Sequence, residues 1–389
     1  MTNIDVTADY AAIRDGVARL CADFPGTYWR DLDSRRAYPE AFVEALSQAG
    51  YLSAMIPEEY GGSGLKLSAA ATILEEIHRN GCNAAACHAQ MYTMGTLLRH
   101  GSVEQKRQYL PRIANGSLRL QAFGVTEPTS GTDTLALRTT AMRDGDDYVV
   151  NGQKIWTSRA EHSDLMLLLA RTSPRDKVRK RTDGLSVFLI DLRALVGHGG
   201  VTIKPIRTMI NHATTEVFFD GARIPAASLI GEEGKGFRYI LSGMNAERIL
   251  IAAECIGDAK WFLDKAAAYA KERIVFGRPI GSYQGVQFPL ARAHAHTMAA
   301  AAIVSRAVAM YEEGLDPGVE ANTAKMLAAD ASWEAAEACL QTHGGFGFAE
   351  EYDVERKFRE TRLYQVAPIS TNLILCYIAE RALGLPKSY

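Results

Sequence analysis

The hydrophobic period of this chain changes twice, and that double change restricts its architecture more than any other feature. Up to about residue 119 the apolar positions follow a helical period, and from about 120 to 230 they form short strand-like runs. From about 231 onward the helical period returns. There Ile249, Ala252, Ala253, Ile256, Ala259, Leu263, Ala266 and Ala270 recur at spacings of three and four, one face of a long helix. Gln284 to Glu313, Asp316 to Thr342 and Ser370 to Leu383 read as three more helices, and four helices with short connections suggest an antiparallel bundle. In the first region Pro39 to Gly50 carries Pro at its opening and Gly past its end, as a helix does, and Leu67 to His78 and Asn83 to His100 follow. In the middle region Asn151-Gly152, between Tyr148-Val149-Val150 and Gln153-Lys154-Ile155-Trp156, predicts a hairpin with a type I′ turn. Leu165 to Ala170, Leu185 to Leu192, Val201 to Ile206 and Glu216 to Phe219 complete about six or seven strands, a small barrel or sandwich. The expected fold is mixed α and β, mostly α. It comprises an N-terminal helical domain over 1–119, a β-barrel domain over 120–230 and a C-terminal four-helix bundle over 231–389. At 389 residues the chain exceeds what one core supports, which agrees with two or three domains.

A formal net charge of −2 gives no electrostatic reason to expect nucleic acid as a partner. The one obvious basic cluster, Arg175 to Arg181, lies between two strand-like runs and reads as a solvated loop tip. Six scattered cysteines with no CxxC pair suggest a reducing compartment and no disulfide framework. The opening MTNIDVTADY shows no leader character, and no run of about 18 apolar residues predicts a membrane span. The cytoplasm is the expected location. Pro57 to Gly64 is a glycine-rich loop whose spacing matches no phosphate-binding fingerprint, so a plain connection is expected.

Four stretches carry the chemistry. Phe123-Gly124-Val125-Thr126-Glu127-Pro128-Thr129-Ser130-Gly131-Thr132-Asp133 reads, from local composition, as a Pro-containing turn with a capped Asp. Lys154-Ile155-Trp156-Thr157-Ser158 ends on a tryptophan of the kind that usually fills a core. Arg273 to Gln284 contains Arg-x-x-Phe-Gly, and Gln341 to Phe348 by itself is a helix C-cap and turn. Taken together and in this order, they resemble the acyl-CoA dehydrogenase family over almost the whole chain. The resemblance implies FAD as cofactor. It assigns Phe123, Val125 and Thr126 to the pyrimidine end of the flavin, Trp156 to stacking on the isoalloxazine and Ser158 to N5. Thr132 stands where the family usually has Ser, at the substrate or pyrophosphate region. Arg273, Phe276, Gln284, Gln341, Gly344 and Gly345 would hold the FAD of a neighbouring subunit, with Ser370 and Asn372 also on the cofactor. That arrangement implies a homo-oligomer, a dimer or tetramer.

Removing hydrogen from the α and β carbons of a thioester needs a carboxylate for the α proton, in an apolar pocket that excludes water. Many family members place a Glu after a Tyr-Gln pair near the C-terminus, but after Tyr364-Gln365 this chain has Pro368 at that place. A second family pattern, in the isovaleryl-CoA and long-chain types, puts the Glu before an Arg on the first bundle helix, and Glu247-Arg248 falls there. Glu247 is therefore the expected base, and an exposed surface Glu is the alternative; Asn245 and Arg248, with Thr132, match substrate contacts. Ile210 stands where Arg is common in the family. His294 and His296, two apart on a helix, point to different faces, which argues against metal ligation, and Cys82, Cys87 and His88 read as packing residues. The expected reaction is acyl-CoA to 2,3-enoyl-CoA, with electrons passing to an electron-transfer flavoprotein. The alternatives are a flavin monooxygenase or oxidase on the same fold, and a non-catalytic flavin-binding interaction protein.

Overall fold

The computed structural model describes residues 10–388. Helices α1 (Ala11–Ala22), α2 (Gly26–Arg35), α3 (Glu40–Gln48), α4 (Leu67–Arg79), α5 (Ala85–His100) and α6 (Val103–Ala114) come first. The strands β1 (Leu120–Gly124), β2 (Thr140–Asp144), β3 (Asp147–Ser158), β4 (Leu165–Arg171) and β5 (Leu185–Asp191) follow. After the short α7 (Leu192–Gly197) come β6 (Val201–Pro205), β7 (Thr214–Pro225) and β8 (Leu229–Ile230). Then α8 (Gly236–Glu272) leads to β9 (Ile274–Val275) and β10 (Arg278–Pro279). Helices α9 (Gln284–Glu312), α10 (Gly318–His343), α11 (Val354–Arg362) and α12 (Thr371–Arg381) end the described chain. No described helix is long and apolar enough to cross a membrane.

The chain forms two compact units. One comprises Arg36–Leu65 and Ala85–Met244; the other comprises the segments through Arg35, Lys66–Ala84 and from Asn245 onward. In the first unit a single mixed sheet runs β6-β7-β3-β2-β4-β5-β8, with β1 parallel to β4. Every residue of β4 is buried, because its two faces serve two cores. Leu165, Leu167 and Leu169 pack with Met94 and Leu97 of α5 and with Leu110 and Ile113 of α6. Met166, Leu168 and Ala170 face a second core that draws Val201 from β6, Val217 from β7 and Phe188 from β5. Strands far apart in the sheet order share that interior, so the sheet curls around it, as the expected barrel requires. The α6 helix starts at a reciprocal cap, in which Ser102 Oγ accepts from the Gln105 N–H and Gln105 Oε1 from the Ser102 N–H.

The expected turn at Asn151-Gly152 is not there. Asp144 pairs with Asp147, so the hairpin turns through Gly145-Asp146, and Asn151-Gly152 runs through the middle of β3. The register against β7 shifts between Val150 and Gly152, Gly152 has φ 144°, and a Cβ on it would stand 2.7 Å from the Thr139 Cα. The dipeptide's tolerance of unusual backbone serves a bulge instead of a turn. Pairing of the twelve-residue β3 with both β2 and β7 outweighs the local turn preference.

In the second unit α8, α9 and α10 share a core that includes Phe262, Ala266, Ala293, Ala335 and Cys339, as the bundle pattern predicts. Gly257 on α8 lets the helix approach α4 so closely that a Cβ there would lie 2.2 Å from the Glu75 carbonyl oxygen. Helix α11, with the sequence VERKFRETR, is not among the expected helices. It nevertheless buries Arg356, Lys357 and Thr361.

Candidate functional site

The first two motif stretches meet in the sheet-bearing unit. Phe123 lies on β1 opposite Leu167 of β4, and the chain then leaves the sheet through half-buried Val125 and Thr126. The Ile155 N–H donates to the Thr126 carbonyl at 2.9 Å. Lys154, fully buried, donates to the Val125 carbonyl at 3.1 Å and to Glu127 Oε1 at 2.8 Å. Glu127 also accepts from the Thr139 and Arg138 N–H groups at 2.9 and 2.6 Å. Burial would raise the Glu127 carboxyl, but Lys154 and these donors hold it below its usual range. Burial pushes Lys154 down to about 8 despite Glu127. A buried ion pair thus joins the two stretches, a role absent from the sequence reading because each residue alone looks like ordinary surface charge. Thr132 and Asp133 lie exposed beyond the small turn in which Glu127 and Ser130 exchange backbone hydrogen bonds.

Trp156 sits where the β3–β7 register shifts between Lys154 and Thr157. Its φ is 59° and its side chain is 57% exposed. A bulky residue in the left-handed region costs about 1–3 kcal/mol, and such strain clusters at ligand sites. The bulge turns the indole out of the sheet, so the core reading of this tryptophan does not hold. Ser158 is half-buried and pairs with Thr214 of β7. Next to it, Arg159 donates to the His212 ring at 3.2 Å, and burial together with this guanidinium holds His212 well below its ordinary value. Ile210 is buried, so it fills space at the position where the family's Arg is common.

The remaining expected residues belong to the other unit. After α8, Phe276 and Gly277 form the two-residue turn of the β9–β10 hairpin, at φ 52° and 80°. Phe276 is 94% exposed at that strained position. The Arg273 guanidinium lies 5.8 Å from the ring centre of Phe346, which brings the third and fourth stretches together. Gln284 opens α9 and is exposed, and Gly344, at φ 57°, and exposed Gly345 follow α10. Gln341 lines an open cavity of about 560 Å³ with Phe288, Arg292, Glu334, Glu337 and Phe358. Ser370 caps α12, its Oγ accepting from the Leu373 N–H, and Asn372 is exposed.

Glu247 is buried on α8 beside Ala246, Ile249 and Leu250, unlike the exposed surface Glu of the alternative reading. Arg248 donates to Asn245 Oδ1 at 3.2 Å. One face of the same helix carries two more buried acids, Glu254 and Asp258. Glu254 Oε2 accepts from the Tyr364 hydroxyl at 3.0 Å. The Ala84 N–H donates to His78 Nε2, so Nδ1 carries the proton donated to Asp258 Oδ1 at 2.8 Å. Lys357 of α11 pairs with the same oxygen. Burial would raise Asp258, but Lys357 and His78 hold it below its usual value. Lys325 donates to the carbonyls of Tyr364 and Ile369 at 2.7 and 3.1 Å, bracketing the segment that contains Pro368. None of these partners is legible in sequence, since Asp258 and Lys357 lie 99 residues apart.

Acid should therefore destabilise the protein through Glu127 and Asp258. Both bind protons less readily when folded than at their ordinary values of 4.5 and 3.8. Below those values the unfolded chain takes up protons first, so their contribution is present above that range and lost as pH falls through the folded values. Urea unfolding followed from about pH 6 to about pH 3 is expected to show falling stability, with a shallower acid slope in Glu127→Gln. His296 pairs with Glu334 at 2.5 Å, and no cluster of three metal-ligating side chains occurs among the described residues.

Comparison with known proteins covers nearly the whole length. Three domain families match: "Acyl-CoA dehydrogenase, N-terminal domain" over residues 7–117, "middle domain" over 122–222 and "C-terminal domain" over 234–383. The chain is 33% identical to the acyl-CoA dehydrogenase fadE12 of Mycobacterium bovis, across 97% of each protein. It is 33% identical to a glutaryl-CoA dehydrogenase of Desulfococcus multivorans, across 92% of each. Among solved structures, a glutaryl-coenzyme A dehydrogenase in complex with glutaryl-CoA superposes with a TM-score of 0.91 at 29% identity, covering 100% of this chain and 98% of that one. Butyryl-CoA dehydrogenase from Megasphaera elsdenii gives 0.86 at 27% identity, covering 99% and 100%.

Proposed function

The chain belongs to the acyl-CoA dehydrogenase family, FAD-dependent oxidoreductases acting on CH–CH bonds, and from that premise we propose that it oxidises an acyl-CoA to the 2,3-enoyl-CoA with Glu247 as the base. The observation that carries this reading is the burial of Glu247, only 6% exposed on α8. Burial keeps bulk water away from the carboxylate, which suits a group that must take a weakly acidic α proton from a bound thioester.

The residues present fit FAD. Trp156 offers a broad aromatic face on a strained bulge, beside the backbone of Phe123, Val125 and Thr126 and the hydroxyl of Ser158. These residues would hold the ring, and bound flavin supplies the acceptor for the β hydride. Lys154 and Glu127 keep the two stretches in register. Thr132, Asn245 and Arg248 would meet the substrate. Arg273, Phe276, Gln284, Gln341, Gly344, Gly345, Ser370 and Asn372 would hold a dinucleotide shared with a second copy of the chain. In support, Phe276, Phe288, Phe346 and Phe348 are each at least 45% exposed, an apolar display that a subunit contact would cover. The electron acceptor in this reading is an electron-transfer flavoprotein.

Anaerobic titration of the yellow holoenzyme with straight, branched and cyclic acyl-CoAs tests the reading. Bleaching by at least one of them is expected, and indifference to all would refute it. Rapid reoxidation by air with no dependence on the flavoprotein would instead favour an oxidase.

A further inference from the structure

Two of the six cysteines meet in the interior, and the proposed reaction uses neither. Cys21 lies in the last turn of α1, and Cys82 follows the end of α4. They are 61 residues apart in sequence, yet their thiols share a hydrogen bond. Cys82 Sγ also stands 3.9 Å from the Cys21 carbonyl oxygen and 3.8 Å from that of Phe24. Both residues are buried. The backbone that carries Cys82 is held in place by two buried cations of α11. Arg356 donates to the Gly81 carbonyl at 3.1 Å and Lys357 to the Cys82 carbonyl at 3.3 Å. The hydrogen bond from the Cys21 thiol holds Cys82 below the ordinary thiol value against its burial, and Trp29, Lys357 and Arg356 act in the same direction. At Cys255 and Cys339 burial prevails instead, and it pushes Cys339 up to about 12.

From this contact we propose that Cys21 and Cys82 form a redox-active dithiol, a modification site at which hydrogen peroxide closes an intramolecular disulfide. Packing alone asks only for small apolar groups here, whereas two thiols facing each other beside two cations have the components of that reaction. Cys82 sulfur attacks the peroxide, an S–O bond forms and the O–O bond breaks, and the leaving hydroxide takes the Cys82 proton as water. Cys21 sulfur then attacks the Cys82 sulfenic acid, the S–S bond forms and the S–O bond breaks, and the second hydroxide leaves with the Cys21 proton. Both sulfurs are oxidised by one electron each, and the peroxide is reduced to two waters. Ala22 and Asp23, directly after Cys21, are exposed, so a small neutral oxidant reaches the pair through local opening of a helix end. The disulfide would tie α1 to the chain after α4, and an external dithiol would reverse it. Neither thiol takes part in the acyl-CoA reading above, so that reading and this site stand or fall separately.

The test treats the FAD-loaded, full-length protein with hydrogen peroxide under native conditions, alkylates the remaining thiols and maps the peptides by mass spectrometry without reduction. A peptide joining Cys21 to Cys82, lighter by two hydrogens than its parts and lost after dithiothreitol, is expected. The wild-type map needs no variant, so it holds whether or not a substitution at these buried positions folds. In Cys21→Ala the joined peptide should vanish while dimedone labels Cys82, the sulfenic acid left without its partner. In Cys82→Ala, Cys21 should stay unlabelled. Oxidised wild type should unfold at a higher urea concentration than reduced, since a crosslink over 61 residues restricts the unfolded chain. The difference should disappear with dithiothreitol and be absent from both variants. Full alkylation of Cys21 and Cys82 after peroxide overturns the proposal, and so does a joined peptide that forms only in urea or that links other cysteines in place of this pair.

Discussion

Glu247→Gln is expected to slow flavin reduction by an acyl-CoA about 10²–10⁴-fold, the span associated with losing a positioned general base. The amide keeps nearly the same shape but takes no proton, so the yellow colour and the FAD content of the purified protein should be unchanged. The buried setting of Glu247 makes this a sharp test. Glu254 and Asp258, on the same helix, are also buried; the Tyr364 hydroxyl meets the first, and His78 with Lys357 meets the second. Stopped-flow bleaching under argon measures the rate. A variant reduced at nearly the wild-type rate would remove Glu247 from the mechanism and leave the family's base unlocated in this chain, since Pro368 has no ionisable group.

Lys154→Met should cost about 3–5 kcal/mol of stability, because it leaves the Glu127 carboxylate buried without its cation. The same change releases the Val125 carbonyl from its 3.1 Å hydrogen bond, so FAD retention should fall with stability. Urea unfolding and the flavin absorbance of the purified variant give the two measurements. The double variant Lys154→Met/Glu127→Leu removes both charges and is expected to recover much of the stability, since two apolar groups in place of a buried pair are often neutral. FAD retention need not recover, because the Val125 contact is still missing. A Lys154→Met protein as stable as wild type would show that the pair does not join the two stretches in the way described.

The long elements were legible in the chain because burial of one helical face imposes a period on the sequence. Helices α4, α5, α9 and α10 begin and end within a few residues of where apolar spacing and flanking Gly or Pro place them, whereas α8 begins at Gly236, well before the Ile249–Ala270 face that marks it in the sequence. The flavin stretch was legible for a different reason. A cofactor contacted by backbone and by a few fixed side chains leaves a contiguous signature, as in Phe123–Asp133. Asn151-Gly152 shows the limit, because the same backbone freedom serves a turn or a bulge and only pairing with β7 decides between them. Helix α11 shows another, since its charges look solvated until Asp258 and Glu360 are found beside Lys357.

By itself, the amino-acid sequence determined the succession of helices, sheet and helices, the family, and the absence of a carboxylate at residue 368. Those depend on local period and on contiguous motifs, which short-range chemistry writes directly into the chain. The tertiary structure alone decided that Trp156 turns outward on a strained bulge, that Lys154 and Glu127 pair in the interior, and that Glu247 is buried while the bases of the β4–β5 loop are exposed. Each of these is a question of which distant residues exclude water from a charge. That exclusion is set by packing between elements and has no signature at any one position.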